Sequence, residues 1–201
     1  MKKVNVLKEL LSKLDDNSLQ TISQKADATP TQTQAALASA IPILMNALAR
    51  NTGSEEGSSA LQNAIKKDHD GSLLDNMGDF LNNPESVNGS GILRHVLGDK
   101  RQNVEQYISR DTGLSGQSAS KILEIAAPMV MGLLGKKSSG GSGSGSAISG
   151  LLNGYIKTEQ KKASQSHSVI NQLLDRDNDG NVMDDVSELG MSFLGKFMKK
   201  R

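Results

Sequence analysis

The residues best suited to chemistry are carboxylates at alternate positions. In Asp175-Arg176-Asp177-Asn178-Asp179-Gly180-Asn181-Val182-Met183-Asp184-Asp185, three aspartates precede a glycine that permits a sharp turn. This is the opening of a calcium loop of the D-x-D-x-D-G kind. Hard Ca²⁺ takes about 6–8 oxygen ligands, and alternating Asp side chains followed by a backbone carbonyl can wrap around one ion. With Asp175 as the first position, Asp177 and Asp179 take the third and fifth, and Asn181 offers its carbonyl at the seventh. An EF-hand closes with a bidentate Glu, and Val186 stands there instead. Asp184 or Asp185 would then have to close the cage, and the expected affinity is modest, on the order of 10⁻⁵ to 10⁻³ M, with Ca²⁺ preferred over Mg²⁺. The same residues also read as a helix-capping turn. Asp179 or Asn181 would cap, and Asp184 and Asp185 would favour the positive end of the helix dipole.

A second acidic turn is Asp68-His69-Asp70-Gly71-Ser72-Leu73-Leu74-Asp75. Asp68, Asp70, Ser72 and Asp75 form a weaker ion candidate, because Lys66 takes the place of Asp175 and an ammonium can neutralise carboxylates itself. The capping reading is preferred here. His69, His95 and His167 form no helix-spaced pair and there is no cysteine, so no zinc pattern arises. His95, among apolar neighbours, is expected to be a partly buried structural residue. No nucleophile elbow, P-loop or dinucleotide fingerprint is present, so no catalytic residue and no cofactor besides Ca²⁺ is assigned.

Elements must hold these residues, and composition says which kind. The 201 residues include 23 Lys+Arg and 22 Asp+Glu, a net charge of +1 that favours neither nucleic acid nor anionic membrane. Aromatics are only 2%, so the core must be Leu, Ile, Val, Ala and Met. Helix formers dominate and no strand alternation is sustained, which predicts an all-α protein. Asn5, Lys8 and Glu9 interrupt any signal-like apolar stretch, and no uninterrupted apolar run approaches the ~18 residues of a membrane span. A cytoplasmic protein is expected.

Periodicity predicts helices near 4–14 and 18–25. Thr29-Pro30-Thr31-Gln32 is a strong start for a helix to about residue 49, with a kink expected at Pro42. A loop is expected at 52–57, a short helix at 58–66, and one helix carrying Leu73, Leu74, Met77, Phe80 and Leu81. Further helices are expected around Ile92–Leu97 and Val104–Ile108. The chain then repeats itself at an offset of 86: Ile22 meets Ile108, Thr29 meets Ser115, Leu37 meets Leu123, Pro42 meets Pro128 and Met45 meets Met131. The acidic turns repeat at a larger offset, Asp68, Asp70 and Gly71 meeting Asp177, Asp179 and Gly180, because a Gly/Ser-rich insert at 137–146 lengthens the second copy. The expected organisation is an N-terminal helix at 1–21, a helical unit at 22–107 and a second at 108–201 with that insert flexible. Val186, Leu189, Gly190, Phe193, Leu194, Phe197 and Met198 make an apolar face with a basic end at Lys196, Lys199, Lys200 and Arg201, which reads first as a core helix with cations at its dipole-favoured end.

Five stretches together resemble a bacterial family of unknown function once grouped with the YidB-like proteins. They are Gln32-Thr33-Gln34-Ala35-Ala36-Leu37, the turn Asp68–Asp75, Gly91-Ile92-Leu93-Arg94-His95-Val96-Leu97-Gly98, Ala127-Pro128-Met129-Val130-Met131-Gly132-Leu133-Leu134-Gly135, and the closing Asp-rich loop. The resemblance implies the helical architecture and brings no activity. The expected function is therefore non-enzymatic: a helical binding or scaffold protein with a protein partner, membrane-surface contact by the C-terminal helix being the lesser reading. An enzyme of unassigned reaction is the competing class. A helix-turn-helix-like DNA-binding module is a third, although Ala35–Met45 has no Lys or Arg and reads as core.

Overall fold

A computed structural model describes residues 6–139 and 145–160. It is helical, with no strand among the described residues: α1 (Val6–Leu11), α2 (Asp16–Lys25), α3 (Pro30–Asn51), α4 (Glu55–Asp68), α5 (Ser72–Asp75), α6 (Met77–Asn82), α7 (Gly89–Leu97), α8 (Arg101–Thr112), α9 (Gly116–Ser139) and α10 (Gly145–Gln160). Short 3₁₀ turns lie at Pro84–Ser86 and Gly98–Lys100. The acidic stretch Asp175–Asp185 and the helix expected after it lie outside the described residues.

The helix starts follow local chemistry. Asp15 caps α2 by accepting from the Ser18 N–H at 2.8 Å. Thr29 caps α3 through a reciprocal box: its hydroxyl accepts from the Gln32 backbone N–H, and the Gln32 side-chain Oε1 accepts from the Thr29 backbone N–H. Such a cap contributes about 1 kcal/mol. Ser115 repeats the device on α9, accepting from the Ser118 N–H at 3.0 Å. Each long helix follows a residue with positive φ, Asp27 (50°) before α3 and Gly113 (70°) before α9.

The core is the pairing of α3 with α9, around which α2, α7, α8 and α10 pack. Both helices are apolar nearly all round in their C-terminal halves, as an interior helix must be. Ile43 to Ala49 are all buried, as are Ile125 to Gly135. Neither Pro42 nor Pro128 ends its helix. The buried Asn46 amide donates to the Pro42 carbonyl at 2.9 Å, which satisfies a polar group that the core would otherwise leave unpaired. Helix α9 is long and apolar enough to cross a membrane by length and composition, but 83% of its most apolar window is buried inside the protein. Between 22–49 and 108–135, no buried position of one stretch corresponds to an exposed position of the other.

Three expectations change. The helix carrying Leu73 to Leu81 is two, α5 and α6, because Asn76 leaves helical geometry (φ −121°, ψ 46°) between them. The loop at 52–57 is shorter, since Ser54 caps α4 by accepting from the Gly57 N–H at 3.1 Å. The Gly/Ser insert is helical at both ends: Lys137–Ser139 finish α9 and Gly145–Ser146 begin α10. Lys137 pairs with Glu9 at 2.8 Å, and the buried Ser138 hydroxyl donates to the Gly135 carbonyl, so the α9 end packs rather than floats.

Backbones approach closely where glycines stand on or against α9. A Cβ on Gly135 would lie 1.8 Å from the His69 carbonyl oxygen, and one on Gly89 would lie 2.0 Å from that of Glu124. Gly135→Ala and Gly89→Ala are each expected to cost about 1–3 kcal/mol, the usual penalty of overpacking. Gly150→Ala, where an added Cβ meets nothing, should stabilise by about 0.5–1 kcal/mol. Urea unfolding of the three variants checks this ordering.

Candidate functional site

The most prominent concavity is an open groove of about 1490 Å³ between α4 and α7. The end of α3 (Leu48, Ala49) and Met131 of α9 also line it, and α4 contributes Ala60, Leu61 and Ala64. From α7 and the segment before it come Val87, Ile92 and Val96. Small-molecule clefts run to roughly 1,000 Å³, so this one is larger and more open than a ligand pocket.

Its walls are held by specific contacts. The Asn51 amide donates to the carbonyls of His95 (3.2 Å) and Val96 (3.1 Å), tying the end of α3 to the last turn of α7, where carbonyls lack helical partners. The start of α4 lies so close to α3 that a Cβ on Gly57 would sit 1.8 Å from the Asn51 carbonyl oxygen. Helix α10 packs behind α4, with the Ser58 and Ser149 hydroxyls 3.2 Å apart. Arg101 fastens α7 to α8 and α9: it donates to Ser90 (2.8 Å), Glu105 (2.7 Å), Ser120 (3.1 Å) and Glu124 (2.8 Å). Only the Arg101–Glu105 spacing of four residues was a signal in the sequence.

Charge on the groove is uneven. Arg50, Arg94 and His95 line it near the junction of α3, α4 and α7, while Asp68, at the far end of α4, is the one carboxylate among the described lining residues. His95 is exposed, contrary to the expectation of a partly buried residue, because it points off the α7 face opposite Leu93. His69 is the half-buried one, and burial pushes its imidazole below the ordinary histidine value against the opposing pull of Asp68 and Asp70.

The structure places the first acidic turn against α9 without gathering its carboxylates. Asp70 accepts from the Ser72 N–H at 2.9 Å, a bond that holds its carboxyl below the usual range. Asp75 pairs with Lys136, whose ammonium lowers the Asp75 pKa through their hydrogen bond. The cation that meets this turn is thus Lys136 of α9, while Lys66 is exposed. Among the described residues no group of three or more His, Asp or Glu converges to hold a metal. Asp68, Asp70, Ser72 and Asp75 therefore make no cage here. Asp175, Asp177, Asp179, Asn181, Asp184 and Asp185 lie outside the described residues.

Residues 8–137 match the family model of a bacterial protein of unknown function (DUF937), well over half of the chain, so the protein belongs to that family. No curated protein and no solved structure matches.

The depressed His69 pKa has a pH consequence. The unfolded chain binds a proton near 6.5 that the folded chain takes up only at lower pH, so stability rises with pH across that interval and is lost as pH falls through it. NMR titration should place the His69 midpoint below 6.5, and His69→Gln should flatten the fall in stability just below pH 6.5. A midpoint at or above 6.5 would contradict the burial.

Proposed function

Membership of a family without an assigned activity leaves function to geometry, and we propose that this is a non-enzymatic binding module whose α4–α7 groove takes an apolar polypeptide face. One observation carries the reading: a long, open, largely apolar concavity is lined by half-buried and exposed side chains such as Ile92, Ala60 and Ala64. A helix laid into such a groove buries apolar area at about 25 cal/mol per Å², the mode used by many helix-binding proteins. The rim cations Arg50 and Arg94 favour an occupant with acidic residues at one end. The matched caps and burial of 22–49 and 108–135 support descent of the α3–α9 pair from a duplicated unit.

Burial of α3 argues against its use as a DNA-reading helix, since residues 40–49 are buried apart from the half-buried Pro42. The buried hydroxyl pair Ser23–Thr33, 2.9 Å apart, closes without a histidine and supports packing rather than an activated nucleophile.

Displayed libraries of amphipathic helical peptides, screened against the full chain, test the groove. Peptides of micromolar affinity are expected, weakened at least ten-fold by Ala60→Glu, an exposed position where folding is spared. No selected peptide, or affinity unmoved by Ala60→Glu and by Ile92→Glu, would sink the reading.

Calcium belongs to the proposal through the sequence of 175–185 alone. Binding to the folded form raises the melting temperature with added Ca²⁺. Asp177→Ala with Asp179→Ala should abolish that rise. Calorimetry without heat at millimolar Ca²⁺ would leave the stretch as a helix cap.

A further inference from the structure

We infer that the groove receives helix α4 of a second copy of this chain, the two α4 helices lying antiparallel across a two-fold axis. This rests on the groove reading and names its occupant. Three observations on α4 and its surroundings carry it.

The first is shape. Gly57, Ala60 and Ala64 line the groove on its α4 side. Spaced by three and four residues, they share one side of the helix, and none has a side chain larger than a methyl. Leu61 and Ile65 are buried beneath them, and Ala60 is exposed. So smooth a wall lets a second helix approach closely, towards the ~8 Å lower end of interaxial distances. The wall of each copy then seats in the groove of the other, which is how an isologous contact closes.

The second is charge along α4, and it fixes direction. Glu56, Ala60, Ala64 and Lys67 follow one another at spacings of four, four and three, so the stripe is acidic in the first turn and basic in the last. Glu56 and Lys67 are exposed, and among the described residues neither belongs to an ion pair. The midpoint of 56 and 67 nearly coincides with that of 60 and 64. One two-fold axis therefore sets Glu56 of each copy against Lys67 of the other, and Ala60 against Ala64. A parallel pair would instead set Glu56 against Glu56 and Lys67 against Lys67. Glu55 and Lys66, exposed on another side of α4, have the same polarity and favour the same direction.

The third is the charge of the groove itself. Arg50 immediately precedes the turn into α4, and Arg94 lies in the last turn of α7, which Asn51 ties to the end of α3. Both cations thus line the groove near the start of α4, whereas Asp68, the last residue of α4, lines its far end. In the antiparallel pair, Asp68 of one copy arrives beside Arg50 and Arg94 of the other as Lys67 arrives beside Glu56. Each of these charges then has an opposite at hand.

An interface of one helix and one groove lies at the low end of the usual ~1,200–2,000 Å², so the dimer is expected to dissociate on dilution. Sedimentation of the full chain from micromolar to millimolar concentration should show the mass rising from 21.3 kDa towards twice that. Glu56→Lys and Lys67→Glu, at exposed positions where folding is spared, should each weaken association about ten-fold. Mixed in equal amounts, the two variants should associate about ten-fold more tightly than either alone, because every introduced charge then faces its opposite. Mixing leaves each variant's own helix unchanged, so a change in α4 stability alone would not produce that gain. An excess of a groove-selected peptide should return the wild-type chain to the mass of one copy. A chain that keeps the mass of one copy up to millimolar concentration, or a dimer whose mixed variants gain nothing, would overturn the inference. After either failure, selected peptides whose binding depends on Ala60 and Ile92 leave the groove reading standing; without them, both fall.

Discussion

Contact of backbone with backbone along α9 is the constraint on which the rest depends. Gly135 meets the His69 carbonyl, Gly89 meets the Glu124 carbonyl, and Gly71, at φ 102°, lies against the backbone of Lys136. A side chain at any of these positions would push the opposing segment away. Those segments are the end of α4, the start of α7 and the turn into α5. Glycine at three points therefore fixes where both walls of the groove stand relative to the α3–α9 core.

Polar contacts then set angles rather than supply most of the stability. Arg101 joins α7, α8 and α9, yet its side chain is 26% exposed, and ion pairs of that exposure contribute about 1 kcal/mol or less each. Its value is geometric: the planar guanidinium meets Glu105, Glu124 and two serines at once, which suits one arrangement of the three helices. Asn51 acts similarly at the other end of α7. Burial of Leu, Ile and Met along α3 and α9, each worth about 1.5–3 kcal/mol, holds what these contacts aim.

Local chemistry was legible in the sequence, and long-range pairing was not. The Thr29–Gln32 box, the helical register of Leu37 to Leu48 and the all-α class follow from capping and periodicity within a few residues. The partner of Asp75 could not be read, because Lys136 is 61 residues away and the nearer Lys66 was the natural candidate. Asn76 gave no glycine or proline to mark the break between α5 and α6. The groove left no motif at all, since α3, α4 and α7 each contribute a few residues, and α9 Met131, that look like ordinary core. His95 was misjudged for a related reason: its neighbour Leu93 is buried on the opposite side of a short helix. The acidic loop at 175–185 was the loudest chemical signal, and it lies outside the described residues.

The central claim is that the apolar floor between α4 and α7 is covered by polypeptide in the working protein. Methyl NMR with a water-soluble paramagnetic agent measures this directly on the intact chain saturated with a selected helical peptide. The account predicts that the Ile92, Ala60 and Ala64 methyls are shielded several-fold relative to Ala35, an exposed methyl on α3 outside the groove. Groove methyls relaxed as strongly as Ala35 would show the floor open to water and contradict the account.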